Sequence, residues 1–372
     1  MKRIFTKITS LMLVAVMSAA LLCSCGKEYD VIYIKDDNDE ITQGFNENML
    51  SFHMAMEKTT LLTQFGLQED KAEIWDITLN DLLGGNATDD VSDMTFGEYN
   101  DKLAIDSAKK MIAASYIYDT MKDDDSVEGK VIAASAAKMD AEVDKTVSEL
   151  QISVGSKANF ESFIGGAGIT MEDFRKYYEM NYKTIELRSA VYVSEDEKKD
   201  YFGKNYAIVK HILVNTASKT NEAGEKVSLT AEELAAKKAE VKGIEARISA
   251  GEEFETVFAE YADSDPGKAL YTEGYFVTNN GKFVEAFQNA ALDMKEGEVR
   301  TVETEYGIHI IKKYPMDITK YNLYSDINNE ITTVLTSAAY TKLLEPYIAK
   351  VEVNDEAASK YTMATVSMLK PE

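Results

Sequence analysis

The sequence predicts an α+β protein: a helical lobe assembled from the N- and C-terminal segments, with a compact domain of small sheet and surrounding helices inserted between them. Three observations predict it. From about Asn48 to Asp200 the chain is rich in Ala, Leu, Met and Lys with few helix breakers. Between Tyr206 and Tyr314 short strand-like runs alternate with amphipathic helices. Beyond Tyr314, Leu323, Ile327, Ile331, Val334 and Ala338 repeat at helical intervals until Pro346, which is expected to interrupt the helix. That helix has nothing of its own to bury against, so it is expected to return to the N-terminal helices. The predicted organisation is a signal peptide over 1–24, an acidic tether over 25–47, a helical region over 48–204, the inserted domain over 205–315 and a C-terminal helical segment over 316–372.

The first residues point to export. Met1-Lys2-Arg3 opens a basic stretch, and the apolar run from about Ile8 to Leu22 falls short of the roughly 20 residues of a spanning helix. Leu22-Cys23-Ser24-Cys25 resembles the lipobox of bacterial lipoproteins. The resemblance implies cleavage before Cys25, lipid on its thiol and attachment to the extracytoplasmic face of the cell membrane. The alternatives are an ordinary secretory signal or a Cys23–Cys25 disulfide; cleavage before Cys25 would remove Cys23 and with it any internal disulfide. A formal net charge of −24 argues against nucleic acid, because phosphate binding needs clustered cations. It also argues against a basic patch lying on anionic lipid.

From Lys27 to about Glu47 the chain is polar and acidic around Lys35-Asp36-Asp37-Asn38-Asp39-Glu40, and reads as a tether; an EF-hand loop would need a glycine and terminal glutamate that are missing. Met49 to Phe65, Phe96 to Met121 and Val127 to Leu150 are predicted helices. Thr170 is placed as an N-cap, and Ser194 with Glu197 forms a capping box. The many Met and Tyr residues of this region serve equally as core or as an adaptable cradle for unfolded chains. His53 reads as a partly exposed helix residue.

In the inserted domain a first strand ends near Asn215, and a helix runs from Thr230 to Ala250 with Gly251 stopping it. A short helix at Phe254 to Tyr261, a strand at Gly274 to Val277, a helix at Glu285 to Leu292 and strands at Glu298 to Glu303 and Gly307 to Lys313 complete the order β-α-α-β-α-β-β. His211 and His309 lie within the first and last of these strands. An interior imidazole that both donates and accepts hydrogen bonds is rarely mere filler.

Val209-Lys210-His211-Ile212-Leu213-Val214, Phe254 to Ala262, Asp263-Ser264-Asp265-Pro266, Phe283-Val284-Glu285-Ala286-Phe287 and Thr304-Glu305-Tyr306-Gly307-Ile308-His309-Ile310-Ile311 resemble, in order, the motifs of the parvulin family of prolyl isomerases. The resemblance implies a site in which Phe283 and Phe287 line a proline pocket, His211 and His309 form a central pair, Thr304 bonds one imidazole and Asp265 stands beside the other. Ser264 competes for the position of Asp265; the Asp-Pro pairing favours Asp265. The bond before proline turns over a barrier of roughly 20 kcal/mol. Lowering that barrier needs an apolar cradle and polar groups favouring the twisted amide, and no metal, nucleophile or cofactor. A metal site from His211, His309 and Asp265 has suitable ligand types but no supporting local spacing.

Leu270-Tyr271-Thr272-Glu273-Gly274 departs from the family's Gly-Gly-Asp-Leu-Gly turn, and Glu273 falls where an apolar pocket residue is usual. A buried carboxylate there would be costly. The overall layout resembles lipid-anchored extracytoplasmic foldases of Gram-positive bacteria, of the PrsA type. This implies an isomerase and foldase acting on unfolded or partly folded exported proteins with X-Pro bonds. The alternative is a non-catalytic holdase carrying a degenerate parvulin domain. A homodimer through the helical lobe stays open, with no residue specifying it.

Overall fold

The computed structural model describes residues 29–66, 72–220, 223–261, 271–367 and 369. The expected signal at 1–24, Cys25, Ser264 and Asp265 lie outside the described residues. The chain divides into two compact units: residues up to Tyr192 together with those from Thr336, and Val193–Leu335.

The first unit is the helical lobe. Where a tether was expected over 25–47, the structure has a hairpin of β1 (Ile32–Lys35) and β2 (Ile41–Phe45), joined on the other edge of β1 by β9 (Glu352–Val353). The tether reading fails because Val31, Ile32, Ile34 and Phe45 are fully buried in the lobe's core. The acidic run is the hairpin's turn. Asp36 Oδ1 accepts from the amides of Asn38 (2.9 Å) and Glu40 (3.0 Å), and these bonds hold its carboxyl below the usual range.

After the hairpin come α1 (Glu47–Gln64), a short α2 (Leu79–Leu82), α3 (Phe96–Met121), α4 (Val127–Ala136), α5 (Met139–Ser153), α6 (Lys157–Gly166) and α7 (Met171–Ala190). The single helix expected over 127–150 is thus two, broken at Ala137–Lys138. Asn46, Thr95, Ser126, Ser156 and Thr170 each cap a following helix through a side-chain oxygen, a contribution of about 1 kcal/mol apiece.

His53 is not a partly exposed residue. Its side chain, 3% exposed, lies in the lobe's core against Phe45, with Nδ1 2.9 Å from the Tyr177 hydroxyl and Nε2 3.0 Å from the Ala104 carbonyl. Since a carbonyl only accepts, Nε2 carries the proton and Tyr177 donates to Nδ1.

The second unit begins earlier and ends later than the expected 205–315. A helix α8 (Glu195–Asn205), opened by the Ser194–Glu197 capping box, precedes β3 (Ala207–Val214). A small hairpin, β4 (Lys219–Thr220) and β5 (Lys226–Val227), leads to α9 (Ala231–Ser249) and α10 (Phe254–Glu260). Then come β6 (Tyr275–Val277), α11 (Glu285–Asp293), β7 (Val299–Thr304) and β8 (Gly307–Tyr314), followed by α12 (Ser325–Ile348) and, back in the first unit, α13 (Asp355–Ala358). Pro346 lies within α12 close to its end, so it does not interrupt the helix as expected. The segment expected to pack on the helical lobe over 316–372 is divided. Tyr321, Ile327 and Ile331 pack instead on Phe202, Tyr206, Ile208 and Phe276.

The sheet of the second unit is antiparallel, in the order β6-β3-β8-β7. Strand alternation sorts its side chains. Ala207 and Val209 pack with Phe287, Ala290, Ala291 and Ile311 on the α11 side. Ile212, Val214, Ile308 and Ile310 pack with Val241, Ile244, Phe254 and Val257 of α9 and α10 on the other.

Burial holds the His53 imidazole below its ordinary value, against the opposing pull of Glu57 3.9 Å away. The unfolded imidazole titrates near 6.5, so below about pH 7 the unfolded chain binds the extra proton and native stability falls. The stability advantage of the native chain over His53→Gln should therefore shrink between about pH 7 and pH 5. Urea unfolding followed by Trp75 fluorescence measures it, since this buried indole lies in the helical lobe's core; a pH-independent difference would contradict the assignment.

Candidate functional site

Register builds the centre of the site. His211 of β3 is paired with Ile311 of β8, and Leu213 with His309. The two histidines are therefore diagonal neighbours on one face, the face covered by α11. Each is 7% exposed. Their Nδ1 atoms are 3.2 Å apart and their ring centroids 5.0 Å.

Thr304, at the end of β7, closes this network. Its Oγ1 lies 2.8 Å from His309 Nε2 and accepts the Tyr306 amide at 3.2 Å. A hydrogen bond between two Nδ1 atoms needs one donor and one acceptor, so one proton lies on that axis.

The apolar side comes from α11 and its entry. Phe283 and Phe287, four residues apart, stack at 5.7 Å between centroids. Phe287 presents its ring to both imidazoles, 5.1 Å from His211 and 5.2 Å from His309. Phe287 is buried and Phe283 half-buried, so the former forms a floor and the latter an accessible wall.

Glu273 does not enter this site. Its side chain is 53% exposed and pairs with Lys320 at 3.0 Å, and that ammonium holds its carboxyl below the usual range. By strand parity it would share the face of Tyr275 and Val277, but it precedes the strand in a tight turn. The Gly274 amide donates to the Tyr271 carbonyl (2.9 Å), and Gly274 has φ +100°. A Cβ at Gly274 would meet the Val209 carbonyl oxygen at 2.7 Å, so only glycine fits there. Tyr324 fastens the turn: its hydroxyl accepts the Glu273 amide at 2.9 Å and lies 3.3 Å from the Gly274 carbonyl.

The residue that sequence reasoning missed is Tyr275. Paired with Val209, it faces the same side as His211, with ring centroids 5.3 Å apart. It also meets Phe283 edge-on at 5.9 Å and Tyr271 at 5.0 Å. Its parity with Val277 was the available signal. The structure thus brings together His211, His309, Thr304, Phe283, Phe287 and Tyr275. Among the described residues no group of three or more His, Cys, Asp or Glu could hold a metal ion.

The residues that carry this imidazole pair, its sheet and its phenylalanine floor fall within the match to a known domain family. Residues 194–314 match the PPIC-type PPIase domain. This part of the chain is a parvulin-type domain. The chain is also 29% identical over 227 residues to the foldase protein PrsA of Staphylococcus epidermidis, covering 59% of this chain and 66% of that one. To the foldase protein PrsA of a Geobacillus species it is 28% identical over 243 residues, covering 62% and 78%. The match thus spans just under two thirds of the Staphylococcus protein. A crystal structure of PrsA from Bacillus subtilis is 23% identical, covering 74% of this chain and 96% of that one with a TM-score of 0.24. The chain is PrsA-like in sequence, with a parvulin domain set within helical regions.

The Thr304–His309–His211 chain makes a spectroscopic prediction. Long-range 1H–15N spectra should show one of the two Nδ1 atoms protonated and the other not, and Thr304→Val should shift His309 first. Equal protonation of both Nδ1 atoms would contradict the arrangement.

Proposed function

We propose that this chain is a peptidyl-prolyl cis-trans isomerase that assists the folding of exported proteins outside the cytoplasmic membrane, to which lipid on Cys25 anchors it. The observation that carries the reading is the contact of an aromatic floor and wall, Phe287, Phe283 and Tyr275, with a hydrogen-bonded imidazole pair. A proline ring laid on that apolar surface has its amide placed beside His211 and His309. Rotation removes amide conjugation, so the carbonyl oxygen loses charge while the nitrogen gains a lone pair. Excluding water from the carbonyl and supplying a fixed polar field at the nitrogen both favour the twisted state.

In this reading Thr304 fixes the orientation of His309, Phe283 and Phe287 bind the proline ring, and Asp265 supplies the remaining polar neighbour of the pair. Substrates are X-Pro bonds of unfolded or partly folded exported chains. One ground for the reading in which the domain is a degenerate scaffold for a holdase was a carboxylate at Glu273 inside the pocket; its pairing with Lys320 at the surface favours the isomerase reading. Among the described residues no helix is long and apolar enough to cross a membrane.

A protease-coupled isomerisation assay on the full chain separates the readings. His211→Ala and His309→Ala should each lower kcat/KM by about 100-fold, the scale of one positioned polar group. Glu273→Leu should stay within about twofold of the parent, as a surface change does. A parent chain without isomerase activity would sink the enzymatic reading. For the anchor, intact-mass measurement should show Cys25→Ala lacking the lipid mass that the parent carries; equal lipid content would refute Cys25 as the attachment point.

A further inference from the structure

The C-terminal tail sits in the helical lobe as a bound peptide would. Met363, Val366 and Leu369, three residues apart, are all buried in the lobe's core. Thr362 starts a single turn between the first two anchors, its carbonyl accepting the Val366 amide at 2.9 Å. Every polar contact named next reaches the tail's main chain and not its side chains. Lys58 Nζ of α1 donates to the Val366 carbonyl at 2.8 Å. The Leu369 amide donates to Thr59 Oγ1 of α1 at 2.8 Å, and the Met363 amide to Asp101 Oδ1 of α3 at 2.5 Å.

Lys58 makes this more than ordinary packing. Its side chain is 0% exposed and its ammonium lies 5.1 Å from the Trp75 ring. Burying an ammonium is costly unless hydrogen bonds compensate, so a residue chosen only to fill space would be apolar. Main-chain contacts are blind to sequence, and apolar anchors impose only a spacing. That combination suits a surface that must accept many different segments. The tail is held upstream by Glu47, which takes Lys360 at 2.8 Å and the Tyr361 hydroxyl at 3.1 Å. Lys360 is exposed, so this surface pair is a weak latch.

We propose that this groove of α1 and α3 is a peptide-binding site occupied by the chain's own tail, and that it takes segments of unfolded client chains with apolar residues at every third position. The proposal rests on the foldase reading and names how its clients are held. The tethered tail competes at an effective concentration of about millimolar order, so the parent chain binds a free peptide weakly.

The probe is a fluorescent synthetic peptide with the sequence of residues 359–370. It should bind the full chain carrying Met363→Asp and Val366→Asp at least about 10-fold tighter than the parent, and adding Asp101→Ala should reverse that gain. A variant with parental circular dichroism that fails to bind the peptide overturns the proposal, as does one that only exchanges tails between copies and gains mass by light scattering. A second measurement needs no variant. In the parent chain, excess peptide should accelerate hydrogen exchange at the Met363 and Leu369 amides, and unchanged exchange there overturns the proposal. Neither readout needs isomerase turnover, so an inactive parvulin domain would leave both intact while the enzymatic reading fell.

Discussion

The register of β3 against β8 is the constraint on which the site depends. With His211 opposite Ile311 and Leu213 opposite His309, the two imidazoles meet on one face at hydrogen-bond distance. A slip of one residue in either strand would send one histidine to the opposite face. That slip is prevented by the apolar residues of both strands, which fill two different cores. Ala207, Val209 and Ile311 belong under α11, while Ile212, Val214, Ile308 and Ile310 belong under α9 and α10. The apolar packing that stabilises the sheet is therefore what positions its polar pair.

The same logic governs the turn beside the site. Gly274 at φ +100° lets the chain pass close to the Val209 carbonyl, and the rotation it introduces sends Glu273 to Lys320 and Tyr275 toward His211. A departure from the family's turn that looked damaging in the sequence thus places its charge in water and its aromatic ring at the site. The aromatic ring is supplied by Tyr275, two residues after the position of Glu273.

In the helical lobe, the ends of the chain complete what the helices begin. β9 pairs with β1 across more than three hundred residues of sequence, with the Tyr33 hydroxyl 2.9 Å from Glu352. The tail's main chain then engages Lys58, Thr59 and Asp101. A short strand of two residues has no stability of its own and exists only because a partner edge is waiting.

Much of this was legible in the sequence wherever local periodicity and capping chemistry decide. The helix Phe96–Met121, the caps at Thr170 and Ser194 and the order of elements in the parvulin domain rest on residue type and spacing, while the grouping of His211, His309, Thr304, Phe283 and Phe287 was implied by the resemblance to the parvulin motifs. What periodicity could not supply was anything fixed by distant contacts. The acidic run around Asp36 read as a tether because its charges dominate a local window, while the buried Val31, Ile32, Ile34 and Phe45 that make it a hairpin are stabilised by the lobe around them. His53 looked exposed because its partners, Tyr177 and Ala104, are far along the chain. Glu273 looked buried because comparison with the family's turn put it at an apolar position, whereas the geometry of this turn depends on Gly274 and on Tyr324 fifty residues away. The sequence alone determined which side chains are available for the site and on which elements they lie. Only the tertiary structure decided which of them face it, because facing is set by register, by positive-φ turns and by partners that no local pattern contains.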